Sequence, residues 1–476
     1  MVNGAKYTTL EDKKETGEYV VDIKTFNPAT EQPIKSYVQL SDIEINLLID
    51  AAHDQFLIWR KTDYSQRATL MLNLAKLLRH KQEQCARLMA EEMGKPVQAG
   101  LMEIEKCAWV CEHYAEHAKE YLSPRLIHTQ MQKTMVCYNP LGVVLGIMPW
   151  NFPFWQVFRF AVPTLMAGNV VILKHASISA GVGSLIEEIF LEAGFPEYVF
   201  QHFLLDKDRV SLVIEHEKVA AVTLTGSEGA GRTVAANAGL HLKKAMLELG
   251  GNDPYVVLAD ADLDLAAQCI VDSRMNNCGQ VCIAAKRVIV VQDVAQALVT
   301  KINEKIERYK MGDPLDPATN LGPMARADLR KTLHEQVQIS VMAGARLIKG
   351  GMIPERPGFY YPPTLLTNVA PGMPAFDDEL FGPVIAVITA KDESEAIRLA
   401  NQSRYGLSAA VFTQDLAHGE YIAVHEIEAG ACFVNALVAS DPRLPFGGIK
   451  QSGFGRELSR EGILEFVNIK TVAING

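Results

Sequence analysis

Cys282 closes the segment Asn277-Cys278-Gly279-Gln280-Val281-Cys282, a polar, glycine-bearing turn rather than an apolar run. A thiolate is a strong nucleophile toward a carbonyl carbon, and turns or helix starts present backbone N–H groups that favour it. Glu248 stands 34 residues earlier, inside the apolar stretch Met246-Leu247-Glu248-Leu249 that ends on Gly250-Gly251. A carboxylate buried there gains the raised pKa that a general base needs; the plainer reading is a strand-end Glu paired with Lys243 or Lys244. Asn151, in Trp150-Asn151-Phe152-Pro153, offers a side-chain amide that can donate to an oxyanion, or else closes a turn before a proline. Gly226-Ser227-Glu228-Gly229-Ala230-Gly231 opens a helix with little side-chain bulk, which suits a phosphate, although its glycines are not spaced as in the six-residue dinucleotide fingerprint. Arg159 lies among Trp155, Val157, Phe158, Phe160, Ala161 and Val162. A cation on so apolar a helix needs an anion, supplied by a ligand or by an internal Asp or Glu.

These residues need elements that hold them. From about Asp42 to Tyr121 apolar residues recur at three- and four-residue steps, as in Leu74, Ala75 and Leu78, which predicts helices. Cys107 and Cys111 share one helical face and read as small buried residues. Ser123 to Tyr138 breaks the helical period and reads as a paired strand or projecting arm. Short apolar strands then alternate with helices: Val143–Met148, Asn169–Leu173 and Ala220–Leu224, followed by Tyr255–Leu258, Val288–Val291 and Val384–Thr389. That grammar predicts two doubly wound parallel α/β domains, with a boundary near Gly250-Gly251. Ile463–Ile474 returns to strand-like character. Asn151, Gly226 and Glu248 therefore fall at or just beyond the carboxyl ends of strands, where such sheets bind ligands.

The whole chain agrees with a globular enzyme. Its 476 residues suit two or three domains, and 48% hydrophobic with 21% charged residues is an ordinary folded mixture. A net charge of -10 without a basic run argues against nucleic acid as a partner. The first 21 residues carry no apolar secretion core, and no apolar stretch reaches the length of a membrane span. Eight scattered cysteines form neither a disulfide scaffold nor a zinc pattern, so no metal is expected and reduced thiols in the cytosol are.

Taken together, these segments resemble the aldehyde dehydrogenase superfamily, in order from about Phe26 to the C-terminus. Leu247–Gly251 matches its glutamate motif, with Asn252 where Lys is more usual, and Asn277–Cys282 its cysteine motif. Pro149–Pro153 matches the oxyanion asparagine motif, Thr225–Gly231 the cofactor turn, and Glu379-Leu380-Phe381-Gly382-Pro383 the nicotinamide-ribose segment. Pro445–Gly448 and Lys450–Gly453 match the closing motif.

The resemblance implies two Rossmann-like domains plus a small β arm. Residues 1–121 and 140–249 would bind NAD(P), 250–449 would be catalytic, and 122–139 with 450–476 would mediate a homodimer or homotetramer. It further implies that Cys282 attacks the aldehyde, Asn151 holds the oxyanion and Glu248 activates the water that hydrolyses a thioester. Trp150, Lys174, Ser177, Gly226, Ser227, Gly231, Leu249, Glu379 and Phe381 would surround the cofactor. Members preferring NAD commonly place a Glu three residues after the lysine, where Ser177 stands here, so NADP should be accepted. His175 could touch its 2′-phosphate.

Arg159 occupies the position at which succinate semialdehyde dehydrogenases hold the distal carboxylate, and which in members for simple aliphatic aldehydes is often aromatic and lines the substrate tunnel; Trp155 is a further expected substrate contact. The second arginine of some of those enzymes, six residues before the nucleophile, is Asn276 here, and Ser440 and Arg443 are the expected substitutes. An uncharged aldehyde, a CoA-acylating reaction and a cysteine hydrolase are the alternatives.

Overall fold

The computed structural model describes residues 22–476, so the reading of the first 21 residues lies outside the described part. Two sheets carry the molecule. In the first, β1 (Val143–Met148), β2 (Val170–His175), β3 (Phe200–His202), β4 (Val219–Thr225) and β5 (Lys244–Glu248) run in the order β5-β4-β1-β2-β3, all parallel. The short strand Gly453–Phe454 adds antiparallel to the outer edge of β5. β2 and β4 read as continuous apolar runs because helices cover both faces of the sheet, leaving no polar side to alternate with. From β1 the chain steps to one side through β2 and β3, then returns to build β4 and β5 on the other. The crevice beyond the carboxyl ends of β1 and β4 is therefore the switch point of the sheet.

The second sheet holds β6 (Pro254–Val257), β7 (Arg287–Val291), β8 (Arg346–Lys349), β9 (Thr364–Thr367), β10 (Val384–Ala390), β11 (Ser408–Phe412) and β12 (Ala431–Val434), in the order β8-β9-β10-β7-β6-β11-β12. Only the edge pair β8–β9 is antiparallel. Each sheet has its own core: one draws mainly on residues before Gly250, the other on Tyr255 to Val438. A third sheet pairs Arg125–Ile127 and Val467–Ile474 on either side of Lys133–Pro140. The strand at the C-terminus begins at Val467 rather than Ile463, because Ser459–Ile463 forms a helical turn first.

Two helices frame the site. α1 (Val97–Tyr121) packs along α2 (Trp155–Met166), all twelve residues of which are buried. Two backbone N–H groups at the start of α2, which have no partner within the helix, are satisfied from α1: Glu103 Oε1 accepts from Phe154 N and Trp155 N, both at 2.9 Å. Glu103 also pairs with the buried Lys95, whose ammonium lies over the Phe152 ring. That contact fixes how α2 enters the core, and with it where Trp155 and Arg159 point.

Candidate active site

The cysteine turn is built against its neighbours by strain and hydrogen bonds. Asn277, Cys278 and Gly279 have φ of 49°, 55° and 70°, three consecutive residues in the left-handed region. Only the last is free of a Cβ, and a Cβ there would lie 2.1 Å from the Gly382 carbonyl oxygen. The strained turn is held by bonds at Asn277 and Gln280: Asn277 Nδ2 donates to the Asn151 carbonyl oxygen at 2.7 Å, and Asn151 Nδ2 donates to that of Gln280 at 3.0 Å. The asparagine after β1 and the cysteine turn of the other half thus interlock, and a few residues on the turn ends at Cys282.

Cys282 is half-buried and lines a cavity of about 220 Å³ with Trp155, Arg159, Lys106, Ser440 and Phe446 among the other walls. Burial pushes its thiol up to about 11, against the pull of the Lys286 and Arg159 charges. The other conspicuous thiol, Cys278, is fully buried and pushed up to about 12.

Glu248 ends β5 and is 2% exposed, and among the described residues neither carboxylate oxygen is hydrogen-bonded. Desolvation, then the charge of Glu457, hold its carboxyl well above the usual range. The lysine pairing has not formed: Lys243 donates to the His216 carbonyl and Lys244 pairs with Glu465. Glu248 packs instead over Gly447 of the closing segment, which is tied to the strand end by Leu249 N donating to Ser452 O and Ser452 Oγ donating to Gly250 O. A buried, unpartnered carboxylate is costly, and Glu248 bears that cost beside Gly447, the neighbour of the cavity residue Phe446, where it can serve chemistry.

The crevice past β1, β2 and β4 collects the expected cofactor residues. Ser227 caps α3 (Glu228–Leu240), accepting from Ala230 N, and a side chain at Gly229 would meet nothing within 4 Å. Gly231 differs from its neighbours: it is buried beneath Leu249, and a Cβ would lie 2.6 Å from that side chain. It serves helix packing, not an open phosphate surface. Lys174, near the end of β2, is buried yet makes no ion pair among the described residues, and desolvation lowers its ammonium. Ser177 begins the turn that follows and is half-buried. Trp150 and Phe381 meet edge to face at 5.9 Å, and Glu379 accepts from Gly251 N at 3.2 Å and pairs with Lys286 at 2.9 Å. A partnerless lysine, an open helix start and an aromatic pair fit a dinucleotide along this crevice.

The comparisons agree with this geometry. The model of the aldehyde dehydrogenase family matches residues 16–472. The chain belongs to that family. A probable NADP+-dependent succinate-semialdehyde dehydrogenase of Synechocystis sp. is 46% identical over 452 residues, 95% of this chain and 99% of the relative. The NAD(P)+-dependent succinate semialdehyde dehydrogenase Sad of Escherichia coli K12 is 46% identical over 94% of this chain and 97% of its own length. The crystal structure of succinic semialdehyde dehydrogenase from Streptococcus pyogenes in complex with NADP+ superposes with a TM-score of 0.93 at 35% identity, covering 95% of this chain and all of that one.

Within this aldehyde dehydrogenase several expectations need correction. Arg159 lines the cavity, but its guanidinium already has an anion: it forms an ion pair with Glu457, both side chains 2% exposed, and lies over the Phe446 ring at 4.3 Å. Glu457 is held up at about 6 by burial, against the pull of Arg159. The internal pair that apolar surroundings demand is therefore made within the chain. Arg443 is exposed, turns to Asp441 at 2.6 Å and lies outside the cavity wall. His175 cannot reach a phosphate, because it is buried with Nε2 against the Pro153 carbonyl at 2.9 Å; burial pulls its imidazole down to about 4. Three site residues escaped the sequence reading. Glu457 and Lys286 are distant partners of Arg159 and Glu379. Lys106, on α1, lines the cavity three residues after Glu103, and that helical spacing was the available signal.

Proposed function

We propose that this enzyme oxidises succinate semialdehyde to succinate with NADP+ or NAD+ as electron acceptor and water as the oxygen donor. The observation that carries the reading is a cavity walled by Cys282, the ammonium of Lys106 and the hydroxyl of Ser440, with the Arg159–Glu457 pair alongside. A thiol suits the aldehyde carbon, and a positive far wall suits a carboxylate. The full-length relatives from Synechocystis and E. coli are named for the same substrate.

In this mechanism the sulfur of Cys282 bonds to the aldehyde carbon, and its proton passes to a base. The Asn151 amide and the backbone N–H of Cys282 would hold the resulting oxyanion, with the amide released from Gln280 to do so. When bound, the nicotinamide supplies the acceptor for the hydride that this carbon gives up, leaving a thioester on Cys282. Glu248 then takes a proton from water, whose oxygen adds to the thioester carbon; the C–S bond breaks, releasing the acid and restoring the thiol. Its burial strengthens it as a base once deprotonated. Lys174, Ser177, Gly226, Ser227, Glu379, Phe381, Trp150 and Leu249 would hold the cofactor, with Ser177 tolerating a 2′-phosphate that a carboxylate there would repel.

Residues 140–249, with the helices before residue 121, would form the cofactor half and 250–449 the catalytic half. The three-stranded sheet exposes Leu126, Ile127, Ile469 and Ile474, an apolar fringe that suits a homodimer or homotetramer. All eight cysteines are free thiols, as a cytosolic protein keeps them. A panel of aldehydes followed by NADH and NADPH formation tests the assignment. Succinate semialdehyde should exceed butanal at least tenfold in kcat/KM, and parity between the two would overturn it.

A further inference from the structure

The two cations of the cavity wall differ in one respect that decides their roles. Arg159 is neutralised by Glu457. Among the described residues Lys106 has no carboxylate within ion-pair distance. Its Nζ donates to Ser440 Oγ at 2.6 Å and lies over the Trp155 ring at 4.4 Å. Since the hydroxyl oxygen of Ser440 accepts from the lysine, its own proton is free to be donated elsewhere. The ammonium and the hydroxyl come from elements 334 residues apart and meet at the same cavity that Cys282 lines.

Resting on the substrate reading above, we infer that Lys106 is the specificity-determining cation of this enzyme: with the Ser440 hydroxyl it grips the distal carboxylate of the aldehyde acid, while Arg159 serves as half of an internal pair. A carboxylate placed between them receives one charge-assisted and one neutral hydrogen bond, and replaces the solvent that Lys106 now lacks. The state of the lysine supports this. Burial pulls its ammonium down to about 8, helped by the charge of Arg159 on α2 and opposed by Cys107 and Glu103 on α1 and by Asp441 in the loop after Ser440. A cation so poorly satisfied gains most from an incoming anion.

The test uses the intact enzyme with NADP+. Wild type, Lys106→Met and Lys106→Arg are assayed with succinate semialdehyde and with butanal, and succinate binding to each protein is measured by calorimetry. Lys106→Met should raise KM for succinate semialdehyde at least tenfold with kcat nearly kept, weaken succinate binding in parallel, and change butanal far less than succinate semialdehyde. Lys106→Arg should restore part of the loss. In wild type, KM for succinate semialdehyde should climb as pH passes about 8, where the ammonium loses its proton, while that for butanal stays flat. If wild type prefers succinate semialdehyde but Lys106→Met keeps its KM, the Lys106 assignment fails and the substrate reading stands. If wild type shows no preference, the substrate reading fails and the assignment with it. Equal losses on both aldehydes would mark Lys106 as structural and likewise overturn the assignment.

Discussion

Two buried charged groups of the active-site region, near enough to feel each other's charge, are treated in opposite ways. Glu248 is kept buried with neither carboxylate oxygen hydrogen-bonded among the described residues, so its carboxyl is poorly satisfied. Arg159 is buried just as deeply but has been given Glu457, Phe446 and a distant hydroxyl, Thr225 Oγ1 at 3.4 Å. Burial alone therefore does not mark a group as functional. What distinguishes the two is whether the fold supplies a counter-group, and by that measure Lys106 belongs with Glu248 rather than with Arg159.

Removing the nucleophile gives the largest effect. Cys282→Ala should abolish turnover of every aldehyde, charged or not, and leave NADP+ binding intact, measured by steady-state assay and by fluorescence titration of the cofactor. Retained activity would move the chemistry to another thiol, which the buried Cys278 is poorly placed to supply. Glu248→Gln comes next. It should permit one hydride transfer per site and then slow hydrolysis by roughly 10²–10⁴-fold, seen as a stoichiometric burst of NADPH in stopped flow. Loss of the burst together with turnover would place Glu248 before the thioester, in activating the thiol.

Arg159→Leu probes the paired group and should behave as a structural change. It strands a buried Glu457 carboxylate, which costs about 3–5 kcal/mol in unfolding free energy. Both aldehydes should lose together, and Arg159→Leu with Glu457→Leu should recover much of the stability in urea titrations. A stable single variant that loses only succinate semialdehyde would reverse the comparison and return the carboxylate to Arg159.

What could be read from the sequence follows from how far apart the interacting groups lie. Cys282, Glu248 and Asn151 each sit in a short segment whose glycines and strand context announce the local geometry, and the alternation of strands and helices announces the sheets. Partners do not travel with their segments. Glu457 and Ser440 reach Arg159 and Lys106 from the far end of the chain, and no local pattern near either cation points to them. β3, three residues long, and Gly453–Phe454, two residues long, are too short for periodicity to show, yet they complete the edges of the first sheet. On sequence His175 is a candidate for the 2′-phosphate because it follows Lys174 directly. In the sheet it follows Lys174 inward, and one backbone carbonyl satisfies it.

The smallest effect tests whether selection by charge extends to the cofactor side. Ser177 starts the turn after β2, three residues beyond the partnerless Lys174, and is half-buried at the crevice. On the reading given above, the 2′ position of the adenosine ribose falls here. Ser177→Glu would then set a carboxylate against a 2′-phosphate, a like-charge contact in a region shielded from bulk water, while offering an acceptor to a 2′-hydroxyl. Part of the repulsion would be offset by Lys174, which can turn toward the new carboxylate, so the penalty should stay near 1.4 kcal/mol, roughly tenfold in kcat/KM for NADP+. NAD+ should hold its efficiency or improve. Because the aldehyde end is untouched, the ratio of succinate semialdehyde to butanal should not move in this variant. An unchanged NADP+/NAD+ ratio would show that Ser177 does not face the ribose, and a shift in the aldehyde ratio would show that the two selections are coupled through the site rather than made by separate charges.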